Sequence, residues 1–201
     1  MRLRDFNDDT WGFALLTELE RELLAGLASA ADTLGCKKAE HRLYQPPIDN
    51  PSEEETSFLD DWEDFVTTGF RQEFADALAV VEADLQNCVP LDGNSDDIPD
   101  DEGEHGDKAY FSLQIPKAHA ESWYGALNQA RLVLATRFDL FDSNGDETVA
   151  ISWEGERPTV MVDDSSQNPH PVETRINAFL RNQAYSFIQE WLIAQVLSAE
   201  L

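Results

Sequence analysis

The stretch at residues 118–141 reads AHAESWYGALNQARLVLATRFDLF and carries the clearest helical pattern in the chain. Its large apolar residues recur at intervals of three and four, which places them on one stripe of an α-helix. The stripe consists of Trp123, Leu127, Ala130, Leu134, Phe138 and Phe141. Tyr124, Leu132 and Val133 widen it, and a helix with so broad an apolar face is typical of a protein interior. We therefore predict that this helix is the central one of the core.

Two polar residues flank the apolar stripe of this helix. Asn128 and Arg131 are three residues apart and share a face. A guanidinium in that place is partly removed from water and requires an anionic partner. The partner is either a bound anion, which makes Asn128 and Arg131 candidate ligand-binding residues, or a carboxylate of the protein such as Glu190. We favour the internal pair, because partly buried arginines usually bridge helices.

The segments on either side of the central helix predict the remaining elements. Apolar periodicity favours helices over residues 8–34, 52–66, 70–87 and from Pro171 onward, with the second and third open to being one kinked rod. Alternation favours a short N-terminal strand at residues 1–6, a brief strand at 110–115 and a β-hairpin at 148–162, whereas residues 37–51 are rich in proline and predict an extended connection. The fold class predicted is mainly α: a bundle of about five helices with a small β-hairpin and, as an option, an N-terminal strand.

The whole chain, residues 1–201, is expected to form a single helical domain, because no Gly/Ser-rich linker divides it and 42% of its residues are hydrophobic. One segment stands apart from this core. Residues 92–107 hold eight acids in sixteen positions. Such a segment buries too little apolar surface to offset the entropy of ordering, so we predict an acidic, mobile loop.

The charge of the chain narrows the classes of partner. Forty acidic residues against 14 basic ones give a net charge of −26. Nucleic acids and anionic membranes require a basic surface, so neither is an expected partner. We found no apolar run long enough for a signal sequence or a membrane span, which favours a cytoplasmic protein. The oligomeric state does not follow from the sequence.

Several segments together resemble a known family. They are RLYQPP at residues 42–47 with the acidic turn after it, WYGALNQARLVLATRF at 123–138, and the final helix bearing Tyr185 and Trp191. The chain resembles a bacterial family catalogued only as a domain of unknown function, whose genes in actinobacteria often lie beside that of the protease adaptor ClpS. The resemblance implies an α-helical fold with minor β elements, and it implies no catalytic residue.

A weak metal-binding motif follows the central helix. Asp142, Asn144 and Asp146 place oxygen ligands at positions one, three and five, as an EF-hand calcium loop does. The sixth position is Glu147 instead of glycine, and the twelfth is Trp153 instead of a bidentate glutamate. Asn144 and Gly145 suit a tight turn after a helix equally well, and we favour that interpretation.

The sequence provides no candidate catalytic centre. It contains no Ser/His/Asp grouping, phosphate-binding loop, HExxH motif or dinucleotide fingerprint, and no cofactor is expected. The two cysteines, Cys36 and Cys88, have no metal-ligand spacing and fit a reducing compartment, and their redox activity stays open.

Our first functional hypothesis is a non-enzymatic regulatory or adaptor-type protein that acts through an unidentified protein partner. It follows from the missing catalytic motifs and from a surplus of aromatic residues, among them Trp11, Trp62 and Phe58. The alternative is a small-molecule or metal-binding protein, with a divergent enzyme as one form of it. Its site would lie where the central helix meets residues 142–162.

Overall fold

The computed structural model describes residues 1–46, 48, 56–92, 98, 109–142, 144–154, 157–162 and 169–197. The helices in this part of the chain are α1 (Glu18–Ala25), α2 (Leu27–Ala31), α3 (Lys37–Tyr44), α4 (Thr56–Asp61), α5 (Thr68–Leu85), α6 (Ala120–Arg137) and α7 (Val172–Gln195). The strands are β1 (Arg2–Asp5), β2 (Thr10–Thr17), β3 (Val89–Pro90), β4 (Tyr110–Pro116), β5 (Val149–Glu154) and β6 (Arg157–Val162). A π-helical turn, Trp62–Thr67, joins α4 to α5 without a break, and a 3-10 turn, Lys117–His119, leads into α6.

The predicted mainly α bundle is wrong, because the protein has a mixed α/β fold. Four strands form an antiparallel sheet in the order β1-β2-β4-β3, and β5 and β6 form a separate two-stranded sheet. The hairpin, the strand at 110–115 and the N-terminal edge strand were all predicted. The error lay in β2, which we assigned to a helix. This strand lies between β1 and β4 and joins them into one sheet.

Strand β2 shows why periodicity misled us. Its sequence, TWGFALLT, is a continuous apolar run, and most of its residues are buried. A short apolar run of this kind fits a central strand or a buried helix equally well. Pairing decides between them: Trp11 lies opposite Ile115 of β4 and Asp5 of β1. The helix begins only after Thr17, whose side chain forms a capping box with Glu20.

The chain divides into two compact units. The first comprises Met1–Ser29, Ala75–Leu127 and Phe187–Leu201, and the second comprises Ala30–Phe74 and Asn128–Ser186. The expectation from the sequence that the whole chain forms a single domain stays a prediction.

The core of the first unit is built on three tryptophans. Trp11 of β2 packs against Trp123 of α6 with ring centroids 5.6 Å apart in an edge-to-face arrangement, and against Trp191 of α7 at 5.8 Å. Trp11 and Trp123 are fully buried, as are Leu113 and Ile115 on β4. Aromatic pairs in this geometry add about 0.5–1.5 kcal/mol beyond their buried area.

The core of the second unit combines aliphatic residues with the aromatic residues Phe179 and Tyr185. Its buried residues include Val133, Leu134, Leu140, Val149 and Phe179. Two of them, Val133 and Leu134, come from the predicted central helix, whose stripe residues Trp123, Leu127, Ala130 and Leu134 are all buried. The predicted helix is therefore confirmed over Ala120–Arg137. Phe138 and Phe141 of the predicted stripe lie beyond its end, and Phe141 is 39% exposed.

Residues 37–51 differ from the predicted extended connection. Their first half forms α3, with Glu40 in the first turn and His41 and Arg42 in the last. Glu40 and Arg42 suit the helix dipole, whereas Lys37 and Lys38 at the N-terminus oppose it, so the charges alone do not explain the helix. A helix of eight residues is too short for apolar periodicity to reveal. The predicted acidic loop at 92–107 lies outside the described residues, except for Asp92 and Ile98.

No helix within the described residues is both long enough and apolar enough to cross a membrane.

Candidate functional site

The second unit contains a groove of about 610 Å³, which we call the α6 groove. Its lining comes from α3, α6, the turn after α6, and α7. The lining residues are Arg42, Asn128, Arg131, Leu132, Ala135, Thr136, Asp139, Phe141, Asp142, Asn144, Gly145 and Asn182.

Helix α6 forms the floor of the groove. Asn128, Leu132, Ala135 and Asp139 follow one another at intervals of four, three and four, so they lie on one side of the helix and of its C-terminal extension. Arg131 and Thr136 widen this stripe. The buried stripe of Ala130, Val133 and Leu134 lies on the other side. The helix therefore contributes one face to the core and a second, polar face to the groove.

Helix α3 brings the first arginine to the groove. Its last residue, Tyr44, packs on Phe74 with ring centroids 6.1 Å apart, and its carbonyl accepts a hydrogen bond from Trp62 Nε1 at 3.1 Å. The guanidinium of Arg71 lies 5.0 Å from the Tyr44 ring and bonds to Glu40 on the same helix. Residues two apart on a helix face nearly opposite sides, so anchoring Tyr44 leaves Arg42 exposed and directed elsewhere.

The backbone of the second arginine, Arg131, is fixed by a hydrogen bond. Arg131 is half-buried, and its carbonyl oxygen accepts a hydrogen bond from Asn182 Nδ2 at 3.0 Å. Asn182 is itself buried and belongs to α7, so this bond fixes α6 against α7 beside the groove. The pairing of Arg131 with Glu190 stays a prediction.

A tight turn closes one end of the groove. Asp142 Oδ1 accepts hydrogen bonds from the backbone N–H groups of Asn144 at 2.8 Å and Asp146 at 2.9 Å. The N–H of Asp146, followed by that of Asn144, lowers the pKa of the Asp142 carboxyl below its ordinary value. Gly145 completes the turn with φ of +87°, a conformation that favours glycine. This is the turn that the Asn-Gly pair predicted.

Asp139 stands at the end of α6 in an unusual backbone conformation. Its φ of +44° is left-handed, and Leu140 N–H bonds back to the Ala135 carbonyl at 3.0 Å, as in a Schellman cap that usually carries glycine. The Thr148 hydroxyl donates to the Asp139 carbonyl at 2.6 Å and accepts from the buried Arg175 at 2.9 Å. This chain of bonds holds the Asp139 backbone in place at the groove.

The groove unites two sets of residues that the sequence singled out separately. Asn128 and Arg131 line it together with Asp142 and Asn144, whereas Asp146 is not among its lining residues. Their roles as ligand or metal-binding residues stay predictions. Within the described residues, no group of three His, Cys, Asp or Glu side chains is placed to hold a metal ion.

Sequence reasoning missed Arg42, Asp139 and Asn182 as groove residues. Arg42 had a usable signal, since it opens the RLYQPP segment of the family resemblance, but no role was assigned to it. Asp139 continues the spacing of Asn128, Leu132 and Ala135, and the same periodicity would have included it. Asn182 had no signal, because its place depends on how α7 packs.

The cysteines lie apart from the groove lining. Cys88 is half-buried, and burial raises the pKa of its thiol, which favours the unreactive thiol form. Cys36 occupies the N-cap position of α3. The redox activity of either cysteine stays a prediction.

The first unit holds a second polar cluster. Asp84 on α5 is 5% exposed, and its carboxylate accepts a hydrogen bond from Trp123 Nε1 at 2.9 Å. His119 Nδ1 lies 3.0 Å from both carboxylate oxygens. Buried carboxylates require such partners, so this cluster is explained by its role in joining α5 to α6 within the unit.

Comparison with known proteins finds one family. The family model described as "Domain of unknown function (DUF2017)" matches residues 4–196. No curated protein and no solved structure matches the chain.

Proposed function

Because the chain belongs to the DUF2017 family, whose description names no activity, we propose from the α6 groove that it is a non-enzymatic binding protein for a small molecule carrying a carboxylate or phosphate group. This is the small-molecule alternative raised by the sequence, with its site at the end of the central helix.

The observation that carries the proposal is the convergence of Arg42 and Arg131 in one groove. The two residues come from α3 and α6, and the whole chain offers only 14 basic residues against 40 acidic ones. Among the residues that the structure describes, none forms a hydrogen bond or salt bridge with the Arg42 side chain. Arginine presents several N–H donors in a plane that matches carboxylate and phosphate oxygens.

The size and chemistry of the groove suit binding better than catalysis. A volume of about 610 Å³ lies within the range of about 300–1,000 Å³ usual for small-molecule sites. Arginine and asparagine side chains bind and orient anions, but they do not exchange protons near neutral pH. Leu132, Ala135 and Phe141 add an apolar surface for the rest of the ligand.

The test is a thermal-shift titration with inorganic phosphate and a series of small mono- and dicarboxylates. We expect at least one of these anions to raise the melting temperature in proportion to the logarithm of its concentration, because it binds only the folded state. Arg42→Gln should abolish the shift. Arg2→Gln is the matched control, since it removes the same charge from an exposed residue of β1 in the other unit.

If no anion raises the melting temperature, or if both variants respond like the wild type, the groove is not the binding site. General screening of the charge of −26 would move all three proteins together, and the control variant identifies that case.

A second candidate function is the adaptor role, supported by aromatic side chains exposed on the segment from α4 to α5. Phe65 is 75% exposed, and Phe58 and Phe70 are 40% and 39% exposed. Exposed aromatic residues on one helical segment are typical of protein-binding surfaces. Chemical cross-linking in native cell extract, comparing wild type with Phe65→Ser, would test it: a partner lost only from the variant supports this role.

A further inference from the structure

We propose that the ligand of the α6 groove is zwitterionic: a short peptide whose C-terminal carboxylate contacts Arg42 and Arg131 and whose N-terminal ammonium contacts Asp139. This inference rests on the binding function proposed above and adds the second charged group of the ligand. It follows from the fact that the groove carries both signs of charge, since Asp139 and Asp142 line it along with the two arginines.

The two charges are ordered along α6. Arg131 lies within the helix, whereas Asp139 follows its last turn. Eight residues at about 1.5 Å of rise each separate their backbones by roughly 12 Å. A free amino acid has its two charges too close together to reach both ends, whereas an extended peptide of about three residues spans roughly 10 Å.

An amino group already lies against the acidic end. Lys38 Nζ is 3.7 Å from Asp139 Oδ1, with side chains that are 77% and 44% exposed. An exposed pair of this kind contributes little stability, so a ligand ammonium competes with Lys38 at small cost. The pair shows that the local geometry accepts an ammonium beside Asp139.

The helix itself favours a cation at this end. Carbonyl groups at the C-terminus of α6 create about half a negative charge, which attracts a positive group. Asp142 adds a carboxylate, although its Oδ1 already accepts from two backbone N–H donors and its Oδ2 accepts from Asn144 Nδ2 at 3.3 Å. Leu132 and Ala135 lie between Arg131 and Asp139 in the sequence of α6, where they offer apolar contact to the peptide side chains.

The experiment is isothermal titration calorimetry with three peptides: Ala-Leu-Ala with free termini, its N-acetyl form and its C-terminal amide. We expect the free peptide to bind best. Acetylation and amidation should each weaken binding about tenfold, the usual effect of losing one hydrogen bond to a charged group.

Variants of the protein test which groove residue contacts each terminus of the peptide. Asp139→Asn keeps a residue that tolerates the left-handed backbone, and in this variant acetylation of the peptide should no longer weaken binding. Asp146→Asn is the matched control, because it makes the same change in the neighbouring turn on a residue that does not line the groove. Arg42→Gln should likewise remove most of the effect of amidation.

The outcomes separate this inference from the function on which it rests. Equal binding of the free and acetylated peptides overturns the zwitterion and leaves the anion site standing. Binding of simple anions without binding of any peptide does the same. If neither peptides nor simple anions bind, both proposals fail. A calcium response that is lost in Asp142→Ala would assign the acidic end to a metal ion and overturn the ammonium site.

Discussion

Gly12 shows how a single position can depend on having no side chain. It lies in β2 with φ of +146°, and a Cβ atom built there would come within 2.1 Å of the Leu113 carbonyl oxygen. That oxygen belongs to the backbone of β4 and cannot move without disturbing the sheet. Gly125 on α6 is the opposite case, since a Cβ there meets no atom within 4 Å.

We expect Gly12→Ala to lower the free energy of unfolding by about 2–4 kcal/mol, from backbone strain together with overpacking. Gly125→Ala should raise it by about 0.5–1 kcal/mol, because alanine is the better helix former. Urea denaturation of both variants checks this pair. A harmless Gly12→Ala would contradict the close approach of β2 and β4.

Tyr185 predicts how the protein responds to alkaline pH. Its side chain is fully buried, and desolvation raises its pKa from 10.0 to about 12, against a smaller opposing effect of Arg181. The folded state therefore holds the phenolic proton more tightly than the unfolded state does. The stabilisation is complete below pH 10 and is lost as the pH rises through about 12.

Between these pH values, the wild type should lose about 2–3 kcal/mol of unfolding free energy through this group. Denaturant titrations across the range, on wild type and on Tyr185→Phe, measure the loss. The variant should show a shallower dependence on pH, and identical slopes would show that other groups cause the alkaline unfolding.

At the scale of elements, the C-terminus of α6 is capped by Asp139, which adopts an energetically unfavourable backbone conformation and also lines the groove. Asp139 occupies a left-handed position where glycine is usual. Stability alone does not explain an acidic residue there, because a non-glycine residue in this conformation costs about 1 kcal/mol. In the peptide binding proposed above, the place of Asp139 in the groove lining gives the position a second role.

Asp139→Gly should therefore stabilise the protein by about 0.5–1 kcal/mol while it weakens binding of the free peptide. Asp139→Ala, which also removes the charge but keeps the strain, should weaken binding equally without the gain in stability. Thermal melts and calorimetry on the two variants separate backbone from charge. If both variants were more stable than the wild type, the left-handed backbone of Asp139 would not be the source of the stability cost.

A second element-level prediction concerns the contact of α5 with α6 in the first unit. Asp84→Asn keeps the shape of the side chain but weakens its bonds to Trp123 and His119. We expect a loss of about 1–3 kcal/mol in unfolding free energy. Glu82→Gln on the same helix is exposed and should change stability by less than about 0.5 kcal/mol.

At the scale of the whole molecule, the net charge of −26 opposes the folded state by self-repulsion. Sodium chloride should raise the urea midpoint, chiefly below about 0.1 M, where the screening length falls from about 30 to 10 Å. Equilibrium unfolding at a series of salt concentrations tests this. A midpoint that rises only at high salt would indicate a hydration effect instead of screening.

The elements that the sequence predicted well are those whose own pattern is long. Helix α6, helix α7 and the β5–β6 hairpin carry enough periodic residues to identify them without reference to the rest of the chain. The turn at Asn144 and Gly145 was also readable, because it depends on local backbone chemistry. Strand β2 and helix α3 were misassigned, since their patterns are too short to decide between alternatives.

The long helices, the hairpin and the polar face of α6 at Asn128 and Arg131 could be predicted from local sequence patterns, and the acidic charge follows from composition. The pairing of β2 with β1 and β4 could not be predicted in this way, nor could the position of Arg42 and Asn182 in the same groove as Arg131. The difference lies in the separation along the chain over which each interaction acts. Periodicity and capping act between residues a few positions apart, whereas strand pairing and the lining of a groove depend on segments distant in sequence, whose contacts form only when their buried faces pack.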